Sequence, residues 1–266
     1  MRQEKLNTAK TLFAVLAFVA LNASAQGVST GPNKVYVEQI GDSNIITIQQ
    51  VGGTNSVGGV SGNTTVSGTG VTTLTPDAAS STNYATVNGS SNQVTINQAG
   101  SNNSAQYNIK GSTNVYSSTI TGNGNQTKLV VGTANVAISG TSVTETVTGD
   151  NNLLLTNVQA ANATSTTSIT GSSNQITSDL LSARGNSTIS ISGSNNIINA
   201  EQTGTAGSNG HVLVNNISTG DYNSITTQQQ GSNDTTFNIQ TTGSHNTITV
   251  RSSDSTIINA KTAIAR

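Results

Sequence analysis

The chain of 266 residues is nearly neutral, with a formal charge of −1, and only 8% of its residues are charged and 3% aromatic. It has no Cys and no Trp, which excludes a disulfide framework and cysteine metal sites. Nothing in the charge balance attracts nucleic acid or an anionic membrane. Asn, Ser, Thr, Gly, Gln, Val and Ile dominate, too few large apolar side chains for an ordinary globular core, so stability has to come from repetition.

The first segment has a basic start (Arg2, Lys5, Lys10), an apolar run from Leu12 to Leu21, and the small-residue site Ala23-Ser24-Ala25. That pattern predicts a secretory signal peptide over 1–25, because an apolar run of about ten residues is half of what crosses a bilayer. No other stretch is apolar enough to span. With Arg2, Glu4, Lys5 and Lys10 removed, seven basic and ten acidic residues remain, a net charge of −3. Residues 26–34 read as a short lead.

From there a turn motif Gly-x-x-Asn recurs. Its first occurrences are Gly41 with Asn44 and Gly52 with Asn55, followed by 56–87, which is rich in Gly, Ser and Thr, carries the turn signal Thr75-Pro76-Asp77, and breaks the pattern as an irregular insertion. The motif resumes in a regular run at Gly89 and Asn92, Gly100 and Asn103, Gly111 and Asn114, Gly122 and Asn125, and Gly132 and Asn135. It continues at Gly149 and Asn152, Gly171 and Asn174, Gly193 and Asn196, Gly220 and Asn223, and Gly243 and Asn246. The glycine steps from 89 through 100 and 111 to 122 are 11, and those from 149 through 171 to 193 are 22. The segments 132–149 and 204–220 carry extra residues, read as lengthened turns.

Between the turns, the second residue after Asn is Ile46, Val94, Ile176, Ile225 or Ile248, and the third is Thr47, Thr95, Thr177, Thr226 or Thr249. One column faces in and the next faces out, as in a strand with one buried face. The glycines supply positive φ and Asn tolerates the left-handed region. A strand of about six residues cannot bury its apolar side alone, but two per 22 residues, stacked coil on coil at about 4.8 Å, bury each other. The expected fold is an all-β solenoid over 35–266, about ten two-strand coils forming a rod on the order of 50 Å long, with Asn and Gln side chains in ladders.

Three turns extend to Gln-x-Gly-x-x-Asn: Gln39-Ile-Gly41-x-x-Asn44, Gln50-Val-Gly52-x-x-Asn55 and Gln98-Ala-Gly100-x-x-Asn103. This motif resembles the curlin repeats of curli fibre subunits, most fully over Val35–Asn55 and Asn92–Asn114. The resemblance implies a β-solenoid secreted through an outer-membrane pore, a nucleator subunit as partner, and assembly into extracellular amyloid fibres of the biofilm matrix.

No catalytic, cofactor or metal constellation is present. His211 and His245 have no second His or Cys at ligand spacing, and Asp42, Asp150 and Asp221, each directly after a turn glycine, occupy a place that most turns fill with Ser. The period of 11 differs from that of calcium-binding β-helix nonapeptides. Tyr36, Tyr84, Tyr107, Tyr116 and Tyr222 share no column and are expected at coil edges. The tail Ser255–Arg266 still reads as strand, with Lys261 and Arg266 able to blunt an open edge. The sequence therefore points to a secreted fibre subunit rather than an enzyme. A monomeric adhesin or phage-borne appendage module is the alternative, and an ice-binding solenoid using the Thr columns, approached by Thr247-Ile-Thr249 and the run Thr144–Thr148, is the second.

Overall fold

The computed structural model describes residues 31–60, 83–133, 135–204, 210–231, 234–253 and 257–263. Residues 1–25, read as a signal peptide, the Thr75-Pro76-Asp77 turn signal and Arg266 lie outside the described residues. Twenty strands are described in chain order. They begin with β1 (Lys34–Val35), β2 (Val37–Ile40), β3 (Ile45–Val51), β4 (Ser56–Gly58), β5 (Ala85–Asn88), β6 (Gln93–Ala99) and β7 (Ser104–Lys110). β8 (Val115–Thr121), β9 (Gln126–Val131), β10 (Ser142–Thr148), β11 (Leu153–Val158), β12 (Thr164–Thr170) and β13 (Gln175–Leu180) follow. The last are β14 (Asn186–Ser192), β15 (Ile197–Gln202), β16 (Val212–Thr219), β17 (Ser224–Gln230), β18 (Thr236–Thr242), β19 (Thr247–Ser253) and β20 (Ile257–Ala263).

The chain alternates between two sheets. Sheet A follows β1, β4, β7, β9, β11, β13, β15, β17 and β19, with β2 and β5 completing its first two layers; sheet B follows β3, β6, β8, β10, β12, β14, β16, β18 and β20. The result is an all-β parallel β-solenoid of about eight turns with a repeat of about 23 residues, and no helix among the described residues. Nine layers are separated by eight steps, about 40 Å at the parallel-strand spacing, so the solenoid has fewer coils and is shorter than the expected ten-coil rod.

The missing coils are accounted for by insertions. Successive layers are 22 residues apart where the motif is regular, but the step from Asn55 to Asn103 is 48, so 26 residues are inserted. They enter in the middle of a strand. Ser56–Gly58 pairs with Ser104–Gln106, and Thr86–Asn88 pairs with Asn108–Lys110, so β4 and β5 are two halves of one layer. The neck is closed by Gly59 N–H donating to the Asn83 carbonyl (3.0 Å) and by Asn83 Nδ2 donating to the Gly59 carbonyl (2.9 Å). The irregular insertion read at 56–87 therefore leaves and re-enters the stack within a single layer, and register resumes beyond it because both halves bury the same face. A shorter insertion lengthens the step from Asn125 to Asn152 to 27.

Inward positions alternate along each strand. Val94, Ile176 and Ile225 are buried, Ile46 and Ile248 in the end layers are partly buried, and Thr47, Thr95, Thr226 and Thr249 on the other face are exposed or half-exposed. Thr177 departs from this pattern: it is buried on the outer face of sheet A. The apolar core falls into two clusters, one from Ile48 to Val143 with Val158, Ala163 and Leu180, the other from Val147 and Leu154 to Ile239. Around β10–β12, inward positions carry Glu145, Thr156, Ser165 and Thr167 instead of apolar side chains, all buried.

Candidate functional site

The repeated chemistry of this protein sits on its two edges. On the edge where sheet B passes to sheet A, Asn33, Asn55, Asn103, Asn125, Asn152, Asn174, Asn196, Asn223 and Asn246 form an unbroken ladder. Asn174 is representative. Its backbone N–H and its Nδ2 donate to Asn152 Oδ1 (3.0 and 3.1 Å), its Nδ2 also donates to the Gly193 carbonyl (2.8 Å), and its Oδ1 accepts from Asn196. Each amide thus satisfies turn groups of both neighbouring layers in a buried place, where an unpaired polar group is expensive. Asn33, assigned to the lead by sequence, is the first rung.

The turn geometry explains the motif, with one correction. The glycine at its head has positive φ, and a Cβ there would lie within van der Waals overlap of the next layer: at Gly171 (φ 132°) it would sit 2.0 Å from the Gly193 carbonyl oxygen. The left-handed residue is not the Asn, as expected, but the one before it, such as Ser173 (φ 58°), Asn151 (φ 56°) or Tyr222 (φ 58°). The Asn is required for its amide rather than for its backbone freedom. The second turn position adds another ladder of side-chain oxygens: Ser172 Oγ accepts from Asp150 N–H (3.1 Å), and Asp150 Oδ1 accepts from Asn123 N–H (2.7 Å). Asp221 Oδ1 accepts likewise from Ser194 N–H (2.6 Å), and Asp42 donates its N–H to Ser90 Oγ (3.4 Å). Ser and Asp are interchangeable there because either offers an acceptor to the layer below.

The opposite edge is incomplete. Asn44, Asn92 and Asn114 form its ladder, which then meets Thr141, whose N–H (3.0 Å) and hydroxyl (2.9 Å) both donate to Asn114 Oδ1. Ala163, Gly185, His211 and Thr235 follow at the equivalent backbone position, each carbonyl accepting from the first strand residue of the layer below. Gly132 and Asn135, read as a turn of the repeat, are not in it. Gly111 stacks on Ile138, and Ile138–Thr141 makes the turn, because the insertion displaces the motif. This edge is why the glycine step doubles from 11 to 22 after Gly149.

The motif glutamines point into the core. Gln50 Nε2 donates to Gln98 Oε1 (2.7 Å), and Gln202 Nε2 to Gln229 Oε1 (2.9 Å). These are isolated pairs, not a continuous ladder, since Ile120 follows Gln98 and Ser252 follows Gln229 in the next layers. Gln39 lies at the same inward position of the first layer, with its Oε1 buried and unpartnered. No family model, no curated protein and no solved structure matches the chain. Its own geometry therefore carries the functional reading.

Two buried acids escaped the sequence reading. Tyr116 Oη donates to Glu145 Oε2 (2.8 Å) and Thr156 Oγ1 to Oε1 (3.0 Å). Burial between the sheets pushes this carboxyl up to about 7 despite those bonds, and drives the Tyr116 hydroxyl well above its ordinary value. Asp179, on the outer side of sheet A, accepts from Asn157 Nδ2 (3.0 Å) and is pushed up to about 7 by burial, with the Glu201 charge adding to the rise. Alternation placed Glu145 between the inward Val143 and Val147, the signal that could have found it. Tyr107 and Tyr116 are in the core with rings 5.9 Å apart, not at coil edges; burial also raises Tyr107. Tyr36 and Tyr84 meet edge to face at the neck of the insertion, and Tyr222 stacks on His245 in the turns. His211 is buried, its Nδ1 2.8 Å from Thr235 Oγ1 and its Nε2 3.1 Å from the Thr203 carbonyl. Among the described residues no three His, Cys, Asp or Glu side chains are grouped to hold a metal.

The outer face of sheet B is uncharged from β3 to β18. Four consecutive layers present Ser117, Thr119 and Thr121; Thr144, Thr146 and Thr148; Thr166, Ser168 and Thr170; and Thr188, Ser190 and Ser192, in register. All twelve side chains are exposed or half-exposed.

Proposed function

We propose that the mature chain is an exported structural subunit that assembles end to end into a curli-like extracellular fibre and performs no chemistry of its own. The observation that carries this reading is the state of the end layers. Val35, Val37 and Ile46 in the first layer and Ile248 and Val250 in the last are only partly buried, whereas Val57, Val94 and Ile225 inside the stack are fully buried. A solenoid that stays single has to cover its end layers, and one that does not offers apolar surface and unpaired backbone groups to a similar end. Stacking would continue the backbone and Asn ladders into a cross-β fibre with a repeat of about 4.7–4.8 Å. The partners of this reading are further copies of the chain, a nucleator and an outer-membrane secretion pore, and its place is the cell surface or biofilm matrix. Electron microscopy and an amyloid-dye time course on the purified mature chain test it. Fibres are expected; a chain that stays monomeric for days at tens of micromolar, even when seeded, refutes it.

The Ser/Thr array on sheet B favours a second reading, an ice-binding solenoid. The sequence hid the array because Ser alternates with Thr and the insertion before β10 obscures the register. Inhibition of ice recrystallisation by the intact chain, abolished by Thr146→Lys, is the expected sign; a chain without such activity eliminates this reading.

A further inference from the structure

We infer that a second copy of this chain docks its first layer on the last layer of the first copy, in the one register that stacks Asn33 on Asn246 and sets Glu38 beside Arg251. The inference rests on the fibre reading and specifies its joint. Register within the stack is continuous: the pairings carry one outward column of sheet A from Glu38 through every layer to Arg251. This column opens on a carboxylate and closes on a guanidinium, both exposed. In the layer before Arg251, Gln228 Nε2 already donates to Glu201 Oε2 (3.1 Å), and neither Glu38 nor Arg251 has an ion pair among the described residues.

Continuing the column by one more parallel step places the two opposite charges at the inter-strand spacing of about 4.8 Å. The same step sets Val35 on Ile248 and Val37 on Val250, closing the two half-buried ends of the core against each other. It also gives Asn246, the last rung, a following Asn33 to accept, as every earlier rung has. A slip of one residue turns Val35 and Val37 outward. A slip of two keeps the faces but separates Asn33 from Asn246 and Glu38 from Arg251. The two charges and the Asn rung therefore select one register together.

Seeded elongation of the mature chain at low salt tests the joint. Glu38→Arg and Arg251→Glu should each slow elongation roughly tenfold, since each sets like charges opposite one another, and the double variant should return to within about threefold of the parent. Fibres of the parent chain together with an unaffected Glu38→Arg variant, or a double variant that stays slow, overturn this register while leaving the fibre reading intact. A parent chain that never elongates its own seeds overturns the fibre reading itself. A covalent measurement covers the case in which a charge variant does not fold. The chain has no cysteine of its own, and Lys34 and Thr247, both exposed, should stack across the joint within disulfide reach. Oxidised fibres of Lys34→Cys/Thr247→Cys should give a ladder of covalent multimers, whereas Lys34→Cys/Thr249→Cys, two residues out of register, should give few. Equal cross-linking by both pairs contradicts the inference.

Discussion

Glu145 makes the stability of the solenoid depend on pH in a direction opposite to that of most acidic residues. Its carboxyl sits between the sheets, held by Tyr116 and Thr156, and titrates near 7 in the folded chain against 4.5 for an ordinary glutamate. A raised acid favours the folded state while protonated, so its contribution is complete below about pH 4.5 and is lost as pH rises through 7. The gap between 4.5 and about 7 corresponds to a loss on the order of 3 kcal/mol. Glu145→Gln keeps the volume and neutrality of the protonated side chain, so at pH 5 it should lie within about 1 kcal/mol of the parent. At pH 8 it should be more stable than the parent by on the order of 3 kcal/mol. Urea unfolding of unassembled protein at pH 5, 6, 7 and 8 measures this. Asp179, also raised to about 7, contributes a fall of the same sign, and it is common to both proteins, so the difference between them isolates Glu145. Parallel pH profiles would show that Glu145 is not held neutral in the core and that the register of β10 is wrong.

Three further outcomes follow from the repeat. Ile225→Asp should unfold the stack or lower its stability by several kcal/mol, because the side chain is fully buried, while Thr226→Asp on the outer face should stay within about half of one in the same denaturation assay. Gly171→Ala should destabilise by more than about 2 kcal/mol through its φ and its clash with the next layer, whereas Ser173→Gly in the same turn, relieving a left-handed residue, should stabilise by up to about 1 kcal/mol. Deleting residues 59–84 joins Gly58, which pairs with Gln106, to Ala85, whose next residue Thr86 pairs with Asn108, so the joined strand keeps the register of β7. The shortened chain should keep its β circular-dichroism spectrum and unfold at or above the parent's temperature.

Much of this architecture is legible in one dimension because a solenoid is nearly one-dimensional: each coil meets only its neighbours, so a period of 22 residues is at once a spatial repeat. Gly171 and Asn174 announce a turn, and Ile176 and Ile225 an inward column, without reference to anything distant in the chain. Three things needed the tertiary structure. Which turns share an edge depends on the count of strands between them, so Gly132 and Asn135 carry the motif yet leave the ladder, and Ile138–Thr141 lacks it yet completes the turn. The insertion between Gly58 and Ala85 keeps its layer whole only because the strand halves meet the same two neighbours, a contact that no local pattern encodes. The core position of Glu145 follows from its strand's alternation, but what neutralises it does not: Tyr116 and Thr156 come from two other strands, 29 and 11 residues away. The sequence by itself determined the repeat, the turn chemistry and the buried faces, because these are local. Only the stacking of layers decided which side chains meet across them, because those contacts span whole coils and their insertions.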